Sequence, residues 1–456
     1  MKIAPYQSCR FNGYRSHYVP TRVLVVCMLG ASVAWAQESR GRAPLGLVEV
    51  LSTVLTRHPL VEAAVARTRA ASAARITAGL PVNPMLTYQV DNGAVANSAA
   101  AGFQRDVMTT LALPLQSIYQ RLPLVHRADA VVRATTAEAA DTRQQLGLQA
   151  TRAYYRVALS QESVAVARDL TRWLDTVVAY NQARVREGVA AEAELLRAQI
   201  ELDRVRADAA LQEADLAGAR VVLGAFLQTA DRPRDPLVVV GAAELLRVPV
   251  AAGTGATAAP DSGWLGRPDL LGLRERAAAA RAAVSSERTM IVRELGAMIG
   301  RRQMGGSTSL VAGISLPVPL FDQNIGEIAR ARAESDAEAL ELVAAERAAG
   351  TQIAGAREVA RVLAERAQAL ASGDASGFLA RADESRRIAL GAYREGGASL
   401  LQVLDAARAW GDARLMFFRL LYAQHESVLT LLVAEGNDLA RLLPVLGAAG
   451  APGSPR

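Results

Sequence analysis

The chain has 456 residues, 51% of them hydrophobic and 5% aromatic, with 51 basic and 45 acidic side chains and a net charge of +6. An Ala- and Arg-rich composition with two cysteines and four histidines favours long helices and argues against a disulfide scaffold or a Cys/His metal centre. The charges are interspersed, and no basic block is interleaved with aromatics, so a nucleic-acid surface is excluded as a working expectation.

Lys2, Arg10, Arg15 and Arg22 precede the apolar run "VLVVCMLGASVAWA" from Val23 to Ala36. That run is short for a membrane span, and Ala34-Trp35-Ala36 fits a signal-peptidase site, so residues 1–36 read as a signal peptide with Gln37 as the new N-terminus. The charged stretch before the run is longer than usual, which leaves a later translation start open. Cys9 and Cys27 both precede the cleavage site. An exported chain without cysteine points to a bacterial envelope protein held by packing and oligomerisation. Beyond Ala36 no run approaches eighteen apolar residues, so membrane helices are not expected, while membrane strands, with their weaker alternation, remain possible.

Two repeats follow, at 37–230 and 265–440. In the first, a helix is expected over Leu47–Arg57, resuming over Ala63–Gly79, with His58-Pro59 as punctuation. Leu86, Tyr88 and Val90 then alternate with Thr87, Gln89 and Asp91, and a second alternating run starts at Phe103. Together they predict a β-hairpin at about 85–114. A helical hairpin follows at about 124–229, and Leu124 to Glu187 would span about 95 Å if straight. Residues 231–264 are rich in Pro, Gly and small residues and read as a linker or equatorial segment.

The second repeat restates the order. A helix is expected over Pro268–Arg288. A β-hairpin at about 289–317 has strands at Met290–Ile299 and Leu310–Leu316, with Arg301–Thr308 as its loop. A proline-free helical hairpin follows at about 324–436, and residues 441–456 form a tail. "LALPL" at 111–115 answers to "ISLPV" at 314–318, and Gly188 and Gly396, each preceded by Arg-Glu, lie 208 positions apart. A duplication is the simplest account.

Glycine ends a helix because it takes positive φ without a Cβ clash, and Arg186 and Arg394 suit the negative end of the helix dipole. Each Arg-Glu-Gly is therefore read as the tip of an antiparallel coiled coil, with Val189 and Leu400 re-entering the apolar seam and both tips at one end. Pro114, Pro123, Pro317 and Pro319 mark the passage from strand to helix. Four strands leave open edges that cannot stand in lipid, so several copies must close them: three give a twelve-stranded barrel and two an eight-stranded one. The expected fold is mainly α with a transmembrane β-barrel contribution: long antiparallel coiled-coil helices forming an α-barrel, plus four strands per protomer. Tyr88, Phe103 and Phe321 offer a sparse aromatic girdle.

"GISLPVPLFDQNIGEIARA" at 313–331 and "YREGGASLLQVLDAA" at 393–407 resemble the TolC-type outer-membrane efflux protein family, over about 47–436. Asn83-Pro84 and the first Arg-x-x-x-Gly tip resemble it too, while "SIYQR" at 117–121 departs from the family's Gly-Gly-Lys-Arg. The resemblance implies a homotrimer in the outer membrane of a Gram-negative bacterium, reaching into the periplasm as the exit duct of a tripartite system. It implies a periplasmic adaptor (membrane fusion protein) and an inner-membrane pump as partners, outer-membrane lipid around the barrel, no catalysis and no cofactor. The wording at 316–326 resembles the branch serving cobalt–zinc–cadmium pumps of the resistance-nodulation-division class.

By the same resemblance Arg186, Glu187, Gly188, Arg394, Glu395, Gly396 and Gly397 are adaptor-docking residues; helix capping alone would also account for them. Gln402 and Asp405 answer to the family's two carboxylate rings at the periplasmic entrance, and spacing i, i+3 puts them on one helix face. A single Asp405 ring would attract cations; an ordinary surface aspartate is the alternative. Tyr393 is a further candidate for narrowing the mouth. No resident metal is expected, and Asp383-Glu384 reads as surface charge. A multidrug or type I secretion duct on the same fold stays open, as does, more remotely, a soluble periplasmic coiled-coil adaptor.

Overall fold

In the computed structural model the described residues are 44–91, 106–227, 237–241, 263–304, 306–371 and 377–443. The signal-peptide reading of 1–36, Phe103, and most of the linker and tail lie outside them. All the helices and strands belong to one compact unit, Leu45–Arg456.

Helices α1 (Leu47–Arg57) and α2 (Pro59–Gly79) lead into strands β1 (Met85–Asp91) and β2 (Asp106–Pro114), then into α3 (Ser117–Arg186) and α4 (Glu192–Leu227). The second repeat runs α5 (Pro268–Thr289), β3 (Gly296–Met304), β4 (Ser307–Ser315), α6 (Ile325–Ala371), α7 (Phe378–Arg394) and α8 (Leu400–Ala434). Helix α2 packs on α3 as α5 packs on α6, and α3 also packs on α5, which joins the repeats.

Several boundaries depart from expectation. Helix α2 starts at Pro59 rather than Ala63, because proline suits the first helical position and the His58 imidazole accepts from the Leu60 N–H. Helix α3 starts at Ser117, so Pro123 lies inside it instead of at the strand-to-helix passage; its 70 residues correspond to about 105 Å. The described helices of the long arm of the second repeat are α6, ending at Ala371, and α7, starting at Phe378. Strand β3 is displaced from the expected Met290–Ile299 to Gly296–Met304, and most of the expected loop 301–308 is strand. Strand β3 ends at Met304 and β4 starts at Ser307, and Gly306 before it takes φ 88°, which suits a tight hairpin turn.

The four strands form one antiparallel sheet in the order β1-β2-β3-β4, leaving β1 and β4 as its edges. The register sorts side chains by face. One face gathers Leu86, Tyr88, Val90, Val107, Leu111, Leu113, Ile299, Leu310, Ala312 and Ile314; Leu310 and Ile314 are each 78% exposed. Thr109, Arg301, Gln303 and Thr308 share that face toward the hairpin ends, where long polar side chains reach the membrane boundary. The other face gathers Thr87, Gln89, Asp91, Asp106, Thr110, Arg302, Ser307 and Ser309 among glycines, methionines and Val311. Apolar side chains bare on one face and polar ones on the other are the inverse of a water-soluble sheet packed on a core, and match a barrel wall between lipid and a wet lumen. Across the polar face the Arg302 guanidinium donates twice to Asp106 Oδ2, at 2.8 and 2.5 Å.

Beyond β4 the chain has no regular secondary structure through Pro317 and Pro319, where the Leu320 N–H donates to the Val318 carbonyl at 2.8 Å, and Pro114 is the last residue of β2. Phe321, in the link to α6, is 99% exposed, as an aromatic at a membrane–water boundary would be. The link is locked by Asn324, which takes φ 57° and is buried. Its amide nitrogen donates to the Glu287 carbonyl at 2.8 Å, and its N–H to Asp322 Oδ1 at 3.0 Å. Asparagine tolerates this left-handed geometry better than other branched or bulky residues, which gives "FDQNIG" a physical meaning.

The largest core joins Val50 and Val54 of α1, Tyr154 and Val157 of α3, Leu223 of α4, Val239, and Phe417 and Leu421 of α8. Residues 237–241 are bound there: Val239 exchanges hydrogen bonds with the Gln161 side chain at 2.9 and 3.0 Å and forms a parallel bridge with Leu45.

Candidate functional site

The two Arg-Glu-Gly turns end their helices by the same pattern. Gly188 takes φ 74°; its N–H donates to the Val185 carbonyl at 3.0 Å, and the Val189 N–H to the Arg184 carbonyl at 2.9 Å. Gly396 takes φ 80°; its N–H donates to the Tyr393 carbonyl at 3.1 Å, and the Gly397 N–H to the Ala392 carbonyl at 2.7 Å. Both are Schellman closures, in which a left-handed residue lets the last carbonyls be satisfied. Arg186, Glu187, Gly188, Arg394, Glu395, Gly396 and Gly397 lie at the surface of these turns. Val189 is 62% exposed and does not re-enter the seam, whereas Leu400 is buried. The difference follows from position: Val189 is the last residue of the closure itself, while Leu400 opens α8.

Both tips lie together. Leu174 and Val177 of α3, Leu202 and Val205 of α4, Tyr393 of α7, and Leu400, Val403 and Leu404 of α8 form one apolar cluster. Tyr393 is 4% exposed inside it. Its hydroxyl donates to the buried Asn181 Oδ1 at 2.5 Å and accepts from Arg184 Nη1 at 3.0 Å. Arg184 also reaches Glu194 at 3.5 Å and lies over the rings of Tyr180 and Tyr393. Burial, then the nearby Glu194 charge, raises the Tyr393 pKa, so the hydroxyl stays a donor at neutral pH. Within the protomer the Tyr393 ring is packed in the seam between the two hairpins.

Gln402 and Asp405 are exposed on the first turns of α8. Gln402 completes a capping box with Ser399, accepting from the Ser399 N–H at 2.8 Å. Asp405 is not an isolated charge, for Arg408 lies 3.4 Å from it. Arg408 in turn donates to both oxygens of the buried Glu201 on α4, at 2.8 and 2.6 Å. Sequence reasoning missed Glu201 and Arg408; they stand 207 positions apart, and no local pattern couples them.

Hydrogen bonding from Arg408 holds the Glu201 carboxyl below the usual range, against the opposing effect of burial. A depressed folded pKa stabilises above the unfolded value, about 4.3 for glutamate, and that contribution is lost as pH falls through the folded value. Glu201→Gln is expected to lower stability by about 1–3 kcal/mol at pH 7. It is also expected to flatten the decline of Tm with acidification below about pH 4; Tm against pH in mild detergent checks both.

A second clasp holds α7. Asp383 accepts from the Trp410 Nε1–H at 2.5 Å and from Arg414 at 3.1 Å, and Arg386 lies 3.8 Å over the Trp410 ring. Asp383 is therefore not the surface charge expected of it, because the indole and guanidinium of α8 face it. Glu384 does pair on its own helix, with Arg387. Among the described residues no helix is long and apolar enough to cross a membrane, and no group of three or more His, Cys, Asp or Glu could hold a metal ion.

Residues 50–227 match the family model described as Outer membrane efflux protein. No curated protein matches the chain in sequence. Among solved structures the CusC channel superposes with a TM-score of 0.70 at 17% identity, over 86% of this chain and 92% of that one. VceC, an outer membrane protein of Vibrio cholerae, gives 0.69 at 18% identity, over 86% and 96%. The CmeC outer membrane channel of Campylobacter jejuni gives 0.68 at 15% identity, over 88% and 89%. Identities this low speak to fold, and the fold agrees in both repeats. The first repeat thus matches the model of the outer membrane efflux protein family, and through both repeats the chain has the fold of the TolC-type channels.

Proposed function

We propose that the chain is the exit duct of a tripartite efflux system. Three copies close a twelve-stranded barrel through the open edges β1 and β4, and the two repeats at 37–230 and 265–440 extend it as an α-barrel into the periplasm. The observation that carries this reading is the two-faced sheet with open edges, continuous with helices that end in paired, exposed tips. The tip residues Arg186, Glu187, Gly188 and Arg394 to Gly397 dock a periplasmic adaptor, which brings cargo from an inner-membrane pump. The duct performs no catalysis.

The cargo we propose is heavy-metal cations, delivered by a pump of the resistance-nodulation-division class, on the strength of the wording at 316–326. Asp405 favours cations at the entrance, tempered by Arg408. Asp405→Asn is expected to reduce cation-over-anion permeability about two- to threefold, read as the reversal potential in a planar bilayer under a KCl gradient. A multidrug duct is the second reading, since the same fold serves several channels. Deleting the gene and scoring growth in graded cobalt, zinc, cadmium, nickel, copper and silver against dyes and antibiotics tests it. Metal sensitivity restored by this chain supports the proposal, and drug sensitivity alone moves the duct to a multidrug pump.

A further inference from the structure

The sheet sorts its large apolar residues by chemistry as well as by face. Every leucine and isoleucine in the strands — Leu86, Leu111, Leu113, Ile299, Leu310 and Ile314 — lies on the apolar face. Every methionine in the strands, Met85, Met108, Met298 and Met304, lies on the polar face. These are four of the eight methionines in the chain. Apolar filling would not separate them, because leucine and methionine are near-equal in volume and interchangeable in packing. What distinguishes methionine is its polarizable thioether, a ligand for soft monovalent metal ions.

Their placement suits a path more than a store. Met85 and Met298 lie level with each other, both paired with the small Ala112 between them. Opposite Met298 stands Gly313, where a Cβ would meet the methionine Cγ at 3.4 Å and Sδ at 3.7 Å, so the glycine leaves that thioether room. Met108 is four residues further along β2, about 13 Å toward the outer end, and Met304 pairs with Asp106 a further two residues on. The charges nearby favour a cation. Asp91 and Asp106 are directly paired, and among the described residues Arg302 is the one basic side chain of this face. Arg302 engages only Oδ2 of Asp106; the buried Oδ1 has no hydrogen-bond partner among the described residues.

We infer that the polar face of the barrel wall is a thioether ladder for soft monovalent cations, of the silver(I) and copper(I) class, which pass from sulfur to sulfur toward the outside. The inference rests on the heavy-metal reading above and narrows it from divalent to soft monovalent cargo. Sites built from few neutral sulfurs hold such an ion weakly enough to release it, as conduction requires.

The test uses the full processed protein carrying 13C-methyl methionine, titrated in detergent with silver nitrate and, separately, zinc chloride. Met290 and Met416 lie outside the strands and serve as internal references. Silver is expected to shift the four sheet methyls at concentrations about tenfold below those that shift Met290 and Met416, while zinc shifts none. Uniform shifts across all six methyls, or none, overturn the ladder. In cells, replacing all four with leucine, a volume-conserving change, is expected to reduce silver tolerance about fourfold or more with trimer yield unchanged. Metal tolerance that survives the leucine variant overturns the ladder and leaves the metal reading intact. A chain that restores only drug tolerance overturns both.

Discussion

Leu310→Arg is expected to lower assembly in the outer membrane more than Ser309→Arg, one residue earlier. Side chains alternate along a strand, so neighbours in sequence face opposite solvents. Leu310 stands on the apolar face and is 78% exposed in the protomer, and Ser309 stands on the polar face with Asp106 and Arg302. A lipid-facing arginine costs about 2–4 kcal/mol at the membrane midplane and less toward the boundary that Arg301 reaches. Leu310 pairs with Arg301 and Ser309 with Arg302, so each substitution sets two cations side by side, and the contact with lipid is what separates them. A closed barrel repeats that cost in every copy. The arginine at 309 meets water instead. The fraction of heat-modifiable oligomer in outer-membrane extracts is the readout. Equal loss for both substitutions would mean that the two faces are not lipid and lumen.

Gly300→Val is expected to be nearly as damaging, for a steric reason. Gly300 pairs with Thr110 at the join between the two repeats. A Cβ there would lie 2.4 Å from the Thr109 carbonyl oxygen and 2.9 Å from the Thr110 Cα, both backbone atoms with no rotamer to move aside. The strands must separate or slip, and a one-residue slip exchanges the faces of a whole strand. Gly300→Ala is expected to show a milder form of the same loss. Oligomer yield and protease resistance of the membrane-inserted protein report it; wild-type values for Gly300→Val would contradict the close approach of β2 and β3.

The sequence made the duplication, the hairpins and the tips legible because each rests on local chemistry. A left-handed closure requires a residue such as glycine at one position, and Gly188 and Gly396 declare it. Strand β4 declares itself by clean alternation. Strand β3 does not: "GAMIGRRQM" carries two glycines and two arginines, and its extended form is set by β2 and β4 on either side. The tip contacts are beyond such a reading for another reason. Tyr393 meets Asn181 across 212 positions, and Arg408 meets Glu201 across nearly as many, so only folding brings those pairs together. Tyr393 is singled out by its place beside the turn, which does not tell whether a ring faces a lumen or a seam.

We propose that the open edges β1 and β4 are closed by two further copies of the chain. Native mass spectrometry of the processed protein, extracted from outer membranes in mild detergent, tests it most directly. A species of three chains is the predicted result. A monomer, or a dimer with an eight-stranded closure, would contradict the account.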